Sequence, residues 1–277
     1  MEINIPVARG VALKIADRPQ ERGDYATSSL PKGFLLVADG LDLAEEAVGF
    51  GFPVVKRGLQ TLFPGRIDLT VEQQGPIWSV QAVYTLNRVE KISRAGTKTV
   101  ENRLLYAIKN FMAEVIRRLP AFRGLLTAMS SKLRKMFHWE TMYVNSGFST
   151  EVKVLYTLEQ ETGKVLIEID TTALPPDISE VVVMNELGAH PFDQYQDSSG
   201  ASLQGRQIGC WDEVYAEEAW FESRVPRIAF RLNQVEGTRL FRGWELVGSR
   251  LAWAGFGYTF PPSLQRLRYV LKIERLA

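Results

Sequence analysis

Apolar residues recur at every second position through much of the chain. Ile67, Leu69 and Val71 alternate with polar neighbours, and after the turn signal Gly75-Pro76 a second run, Ile77 to Leu86, is placed to return antiparallel beside them. The same pattern predicts strands at Val152 to Leu158, Val165 to Ile169, Val181 to Met184, Ile228 to Leu232, Leu240 to Val247 and Leu267 to Ile273. Glu161-Thr162-Gly163 joins the clearest hairpin of the set. Helical spacing is largely missing between successive strands, which argues against a doubly wound parallel sheet and for antiparallel sheets packed face to face.

One segment breaks the alternation. From residue 102 to 137, Leu104, Ile108, Phe111, Met112, Val115 and Leu119 follow helical spacing, and beyond Pro120 the set Leu125, Leu126, Met129, Leu133 and Met136 resumes it. Two helices broken near Pro120 are expected. The expected fold class is therefore mainly β: a large antiparallel two-sheet sandwich with a helical insertion at about 102–137. Residues 16–33 and 196–207, rich in Gly, Ser, Asp and Gln, read as the loosest stretches.

Composition adds bounds to this picture. With 277 residues, 45% apolar and 23% charged, the chain has material for one substantial core, and a single domain over 1–277 is expected. A net charge of +1 gives no global attraction to nucleic acid, and none is expected as a partner. Cys210 is the only cysteine, which excludes an internal disulfide and any multi-cysteine metal site. The first residues lack an apolar signal core, and no window carries the roughly 18 apolar residues of a spanning helix, so a cytoplasmic setting is expected.

Candidate chemistry concentrates between Asn185 and Asp212, after the strand-like run Val181 to Met184, in what reads as a glycine-punctuated loop region. Glu186, His190, Asp193 and Asp212 supply proton donors and acceptors, while Asn185, Tyr195, Asp197, Arg206 and Trp211 supply polar contacts and an aromatic face suited to a sugar ring. The plain alternative is that Asp and Asn cap turns and Trp211 fills the core. Asp193 and Asp197 are also spaced as in a calcium loop, yet the early glycine and terminal glutamate of that motif are missing, and no metal or other cofactor is expected. Ser198 and Ser199 lack the elbow of a nucleophilic serine.

Two further stretches stand out. Gly40 to Gly65 places Glu45 and Glu46 before Gly-Phe-Gly-Phe-Pro, a site wall on one reading and a bulged strand with its turn on the other; it lacks a dinucleotide fingerprint. Between Arg103 and Lys135 there are eight basic residues against Glu114 alone. Such a face either lies solvated above a core stripe or docks on an anionic membrane or acidic partner.

Gly188-x-His190-Pro191-Phe192, after a strand and preceded by Asn185, resembles the His-Pro-aromatic element around a catalytic histidine in galactose mutarotase-like (aldose 1-epimerase) proteins. The resemblance implies a two-sheet supersandwich and a histidine acting as general acid toward a sugar ring oxygen, with a distant carboxylate as base. Only His190 carries over by position; Glu245, in Arg242-Gly243-Trp244-Glu245, lies outside any matching motif. The reading that follows is a carbohydrate-directed protein, a sugar epimerase, mutarotase or lyase, with His190 as acid, one of Glu186, Asp193, Asp212 or Glu245 as base, and Trp211 as platform. The alternative is a non-catalytic binding or assembly module that docks through its basic helices.

Overall fold

A computed structural model describes residues 1–17, 30–45, 47–58, 60–95, 98–100, 139–247 and 251–276. The chain divides by its contacts into two compact units, one of Met1–Arg88 with Phe148–Ala277 and the other of Val89–Gly147. The helical pair expected at 102–137, and the basic face it would carry, lie outside the described residues.

Four strands, β1 (Glu2–Ala8), β2 (Val11–Ala16), β3 (Leu35–Ala38) and β4 (Leu41–Asp42), form a small antiparallel sheet in that order. Then come β5 (Gly49–Arg57), β6 (Gln60–Gln74), β7 (Ile77–Ala95), β8 (Lys98–Val100) and β9 (Trp139–Glu159). They are followed by β10 (Lys164–Asp170), β11 (Glu180–Leu187), β12 (Gln194–Asp197), β13 (Ser202–Gln204) and β14 (Cys210–Val214). The last are β15 (Glu218–Ser223), β16 (Ile228–Asn233), β17 (Arg239–Val247), β18 (Leu251–Phe260) and β19 (Arg266–Arg275). They build a large sheet of order β13-β12-β15-β16-β19-β10-β9-β7-β6-β5-β11-β18-β17-β14, with β8 folded back onto β7. Among the described residues the only helical element is a single 3₁₀ turn, Gly205–Ile208.

Alternation explains most of these strands. β1 buries Ile3, Ile5 and Val7, β10 buries Val165, Ile167 and Ile169, and β19 buries Leu267, Tyr269, Leu271 and Ile273, while the even-numbered residues between them point to the opposite, wetter face. The β6–β7 hairpin turns at Gly75-Pro76 with Gln74 opposite Ile77, and the β9–β10 hairpin sets Leu158 opposite Val165, both as the alternation predicts. Side chains from the small sheet and from both halves of the long sheet meet in one apolar core.

Three expectations need adjusting. Of the two sheets, one is a continuous ladder that contributes to the core from both of its halves, and the other has only four strands. Residues 196–207 are not loose: β12 and β13 pair as a hairpin there, with Asp197 capping the turn. Likewise the stretch from Asn185 to Asp212 holds the end of β11, β12, β13, the 3₁₀ turn and the start of β14, because polar strands at a sheet edge lack the apolar alternation by which strands are read.

Candidate functional site

β11 and its neighbours create the site. Period-two alternation sends Asn185 and Glu186 to opposite faces of the sheet. Glu186 shares its face with Val182 and Met184, which join Val48, Phe52, Val54 and Trp211 in a second, smaller apolar cluster. Its side chain is buried. Burial pushes its carboxyl up to about 7, assisted by the charge of Glu245 and opposed by Lys32 and by a hydrogen bond from the Val48 backbone.

The turn between β4 and β5 supplies the next groups. Its path is held by the Ala44 N–H on Asp42 Oδ1 at 2.9 Å, the Ala47 N–H on the Ala44 carbonyl at 2.9 Å and the Gly188 N–H on the Leu43 carbonyl at 2.9 Å. Lys32 Nζ donates to the Ala47 carbonyl at 2.9 Å. Glu45 takes a left-handed φ of 50° in this turn. Its carboxylate meets His190 twice, Oε1 lying 2.7 Å from Nδ1 and Oε2 accepting from the His190 backbone N–H at 3.3 Å. The His190 ring is 60% exposed. Trp244 Nε1 donates to the Ala189 carbonyl at 2.9 Å and ties β17 to the histidine turn.

Register carries the Glu186 face across the sheet. Glu186 lies opposite Gly255 on β18, Gly255 opposite Gly243 on β17, and Trp253 opposite Glu245, so all five belong to one surface. Trp253 Nε1 donates to Glu245 Oε2 at 3.4 Å, and the Cys210 thiol reaches the same oxygen at 3.9 Å. Trp211 sits at a bulge in β14 with φ 69°; its ring stacks on Phe241 at 5.9 Å and meets Trp253 edge-on at 6.1 Å. The indoles lie low because the sheet beneath them is glycine: a Cβ on Gly257 would stand 2.2 Å from the Trp211 ring, and one on Gly243 2.4 Å from Trp253.

The other sequence candidates are held elsewhere. Asn185 is fully buried, its Oδ1 accepting from Tyr269 OH at 2.8 Å and from the Gly51 N–H at 3.1 Å. Tyr195 is fully buried and donates to Asp197 Oδ2 at 2.6 Å. Burial alone would raise the Asp197 carboxyl, but hydrogen bonds from Ser199, Tyr195 and Ala201 outweigh it and hold the group below the usual range. Asp193 accepts from Gln204 Nε2 at 3.1 Å, Arg206 is exposed on the 3₁₀ turn, and Asp212 is exposed beside Gly209. Asp193 and Asp197 therefore serve the β12–β13 hairpin, and among the described residues no three His, Cys, Asp or Glu side chains converge as a metal site.

Of the candidates, Glu186, Glu245 and Trp211 share the aromatic face, with His190 in the turn that follows β11. Lys32 escaped sequence reasoning, and Glu45 was visible only as part of a site wall, because its partner stands 145 positions away. The arrangement offers an aromatic surface, a carboxyl poised near neutrality and a second carboxylate, a set suited to contacting a ring and moving protons at its edge. A cavity of about 550 Å³ opens on another part of the sheet, lined by residues including Thr157, Lys164, Leu166 and Arg268, and no candidate residue lines it. No helix among the described residues is long and apolar enough to cross a membrane.

No protein-family model matches the chain, and its sequence matches no curated protein. Solved structures do match. A quadruple mutant of the alpha-N-acetylgalactosaminidase NagBb from Bifidobacterium bifidum aligns over 100% of this chain and 36% of its own, at 13% identity and a TM-score of 0.50. The chain thus spans about a third of that protein's length. A galactose mutarotase-like protein from Lactobacillus casei aligns over 99% of both chains at 10% identity and a TM-score of 0.43. Another from Clostridium acetobutylicum aligns over 100% of this chain and 99% of its own at 12% identity and a TM-score of 0.38. Two of the matching structures are thus galactose mutarotase-like proteins, the family that the Gly188–Phe192 element resembles.

Proposed function

We propose that the chain is a carbohydrate-directed protein whose ligand ring lies against the Trp211 and Trp253 face, with proton transfer at a sugar carbon as its chemistry. The observation that carries this reading is Glu186: a buried carboxyl pushed up to about 7, on the same surface as those indoles and under the influence of Glu245. A group with that pKa is present in both forms near neutrality and so can give or take a proton. The protein similar in fold at a TM-score of 0.50 is named as a glycosidase, which accords with a carbohydrate ligand.

Mutarotation needs two proton transfers and the breaking of one bond. One group takes the proton of the anomeric hydroxyl, another gives a proton to the ring oxygen, and the bond from anomeric carbon to ring oxygen breaks to leave the open aldehyde. Reclosure on the other face reverses both transfers. Glu186 and His190 are assigned as the pair, with Glu245 setting the charge beside Glu186. Epimerisation or elimination would use the same two groups on a carbon-bound proton.

The test is anomer exchange of common neutral hexoses by proton NMR, with sugar binding by calorimetry, on the wild type and on Glu186→Gln. We expect wild-type exchange that falls by roughly 10²–10⁴-fold in the variant. Binding without exchange in the wild type would leave a non-catalytic sugar module, and neither binding nor exchange would sink the carbohydrate reading.

A further inference from the structure

His190 and Glu45 form an unusually constrained pair. The carboxylate bridges the ring Nδ1 at 2.7 Å and the backbone N–H of the same residue at 3.3 Å, so it fixes the histidine at two points. Glu45 reaches that position from a left-handed φ of 50°, in a turn pinned to the histidine segment by the Gly188 N–H on the Leu43 carbonyl. The side chain crosses directly over Gly188: a Cβ there would stand 2.5 Å from Glu45 Cγ and 2.6 Å from Oε2. Gly188 is thus small where the carboxylate passes.

An ionised carboxylate only accepts hydrogen bonds, so the ring nitrogen facing it carries the hydrogen. We infer that Glu45 is a positioning residue: it holds neutral His190 as the Nδ1–H tautomer and makes Nε2 the nitrogen that exchanges a proton with the ligand. The inference rests on the proposed proton-transfer site and names which atom of His190 works there. The open side of the ring agrees with it, since 60% of the His190 side chain is exposed while Glu45 is only 27% exposed. A carboxylate that orients a histidine in this way sets which nitrogen is available without touching the substrate.

The experiment reads the tautomer directly. Long-range ¹H–¹⁵N spectra of the whole chain, at a pH where the rings are neutral, distinguish the protonated from the bare nitrogen. The chain has only two histidines, and His138→Gln assigns the signals. We expect Nδ1 to carry the hydrogen in the wild type and Nε2 to carry it in Glu45→Ala. Glu45→Gln, which keeps an acceptor oxygen, should retain the wild-type pattern. Gly188→Ala, which pushes the carboxylate aside without removing it, should shift the tautomer as Glu45→Ala does. On the sugar-exchange assay Glu45→Ala should lower kcat by about 10²-fold with KM nearly unchanged, and Glu45→Gln should restore part of the loss. A wild-type Nε2–H pattern, a tautomer indifferent to both Glu45→Ala and Gly188→Ala, or an unaltered kcat in Glu45→Ala would overturn the inference. Absence of wild-type turnover would instead overturn the proposed chemistry and leave the tautomer result standing as a property of the pair, so the two failures are distinguishable.

Discussion

Glu186 opposes the folding of the residues around it once it ionises. Its carboxyl stands at about 7 in the folded chain against 4.5 ordinarily, so the folded state holds its proton more tightly. Below about pH 4 the group is protonated in both states and costs nothing; as pH rises from 4.5 toward 7 the unfolded chain loses its proton first and stability falls. The full penalty is present above about pH 7 and amounts to about 3 kcal/mol. Glu186→Gln removes it. In urea melts the variant should gain on the wild type by about 3 kcal/mol between roughly pH 4 and pH 8, and an advantage that does not grow with pH would show that Glu186 is not burdened in this way. Such a gain combined with lost exchange would mark a group that serves chemistry at the expense of stability. At this scale the sequence was informative about identity and silent about company. His190 was legible from its Gly-Ala-His-Pro-Phe setting and Glu186 from its place after a strand. Asp197 and Tyr195 were read as ligand contacts because a carboxylate capping a turn and one facing a ligand look alike in a sequence.

The element that decides how Glu186 is presented is the bulge in β5. Met184 pairs with Phe52 and Asn185 with Phe50, so Gly51 is the extra residue, at φ 73°. The Gly51 N–H donates to buried Asn185, and its carbonyl accepts from Tyr156 OH at 3.2 Å. A Cβ on Gly51 would stand 2.6 Å from that hydroxyl. Gly51→Ala should therefore combine backbone strain with a steric conflict in a packed polar core, for a loss of about 3 kcal/mol or more. Gly58 is the control, with φ 59° and nothing within 4 Å of its Cβ position, so Gly58→Ala should cost only about 1–2 kcal/mol. Equal losses in urea melts would show that the Tyr156 contact has no energetic weight. The bulge itself was readable from Gly-Phe-Gly-Phe-Pro as one of two alternatives. Its pairing with β11 was not, since β11 showed itself as the apolar run Val181 to Met184 but Asn185 stands 134 positions from Gly51 in the chain. β6, β7, β9 and β10 were legible because each keeps one wet face or ends at a glycine turn.

At the scale of the whole molecule, sequence pattern located hairpins but not the order of strands, because many neighbours in the long sheet are not consecutive in the chain. β19 shows what that order means for stability. It lies between β16 and β10, inside the sheet, though it is among the last residues of the chain. It buries Leu267, Tyr269, Leu271 and Ile273, and Tyr269 OH reaches Asn185 beside the site. Four buried side chains of this kind contribute about 6–12 kcal/mol at roughly 1.5–3 each, comparable with the whole stability of an ordinary domain at about 5–15 kcal/mol. Removing residues 262–277 would also leave the facing edges of β16 and β10 without their ladder partners. The truncated chain should lose cooperative thermal unfolding and bind a hydrophobic dye, rather than show a lowered midpoint. Supplying the missing segment as a separate peptide should restore the transition, because the vacated position has hydrogen-bonding groups on both sides and alternate apolar sites to receive it. A truncated protein that still melts cooperatively near the wild-type temperature would mean that β19 is not an interior strand, and with it would fall the link between this strand and the orientation of Asn185.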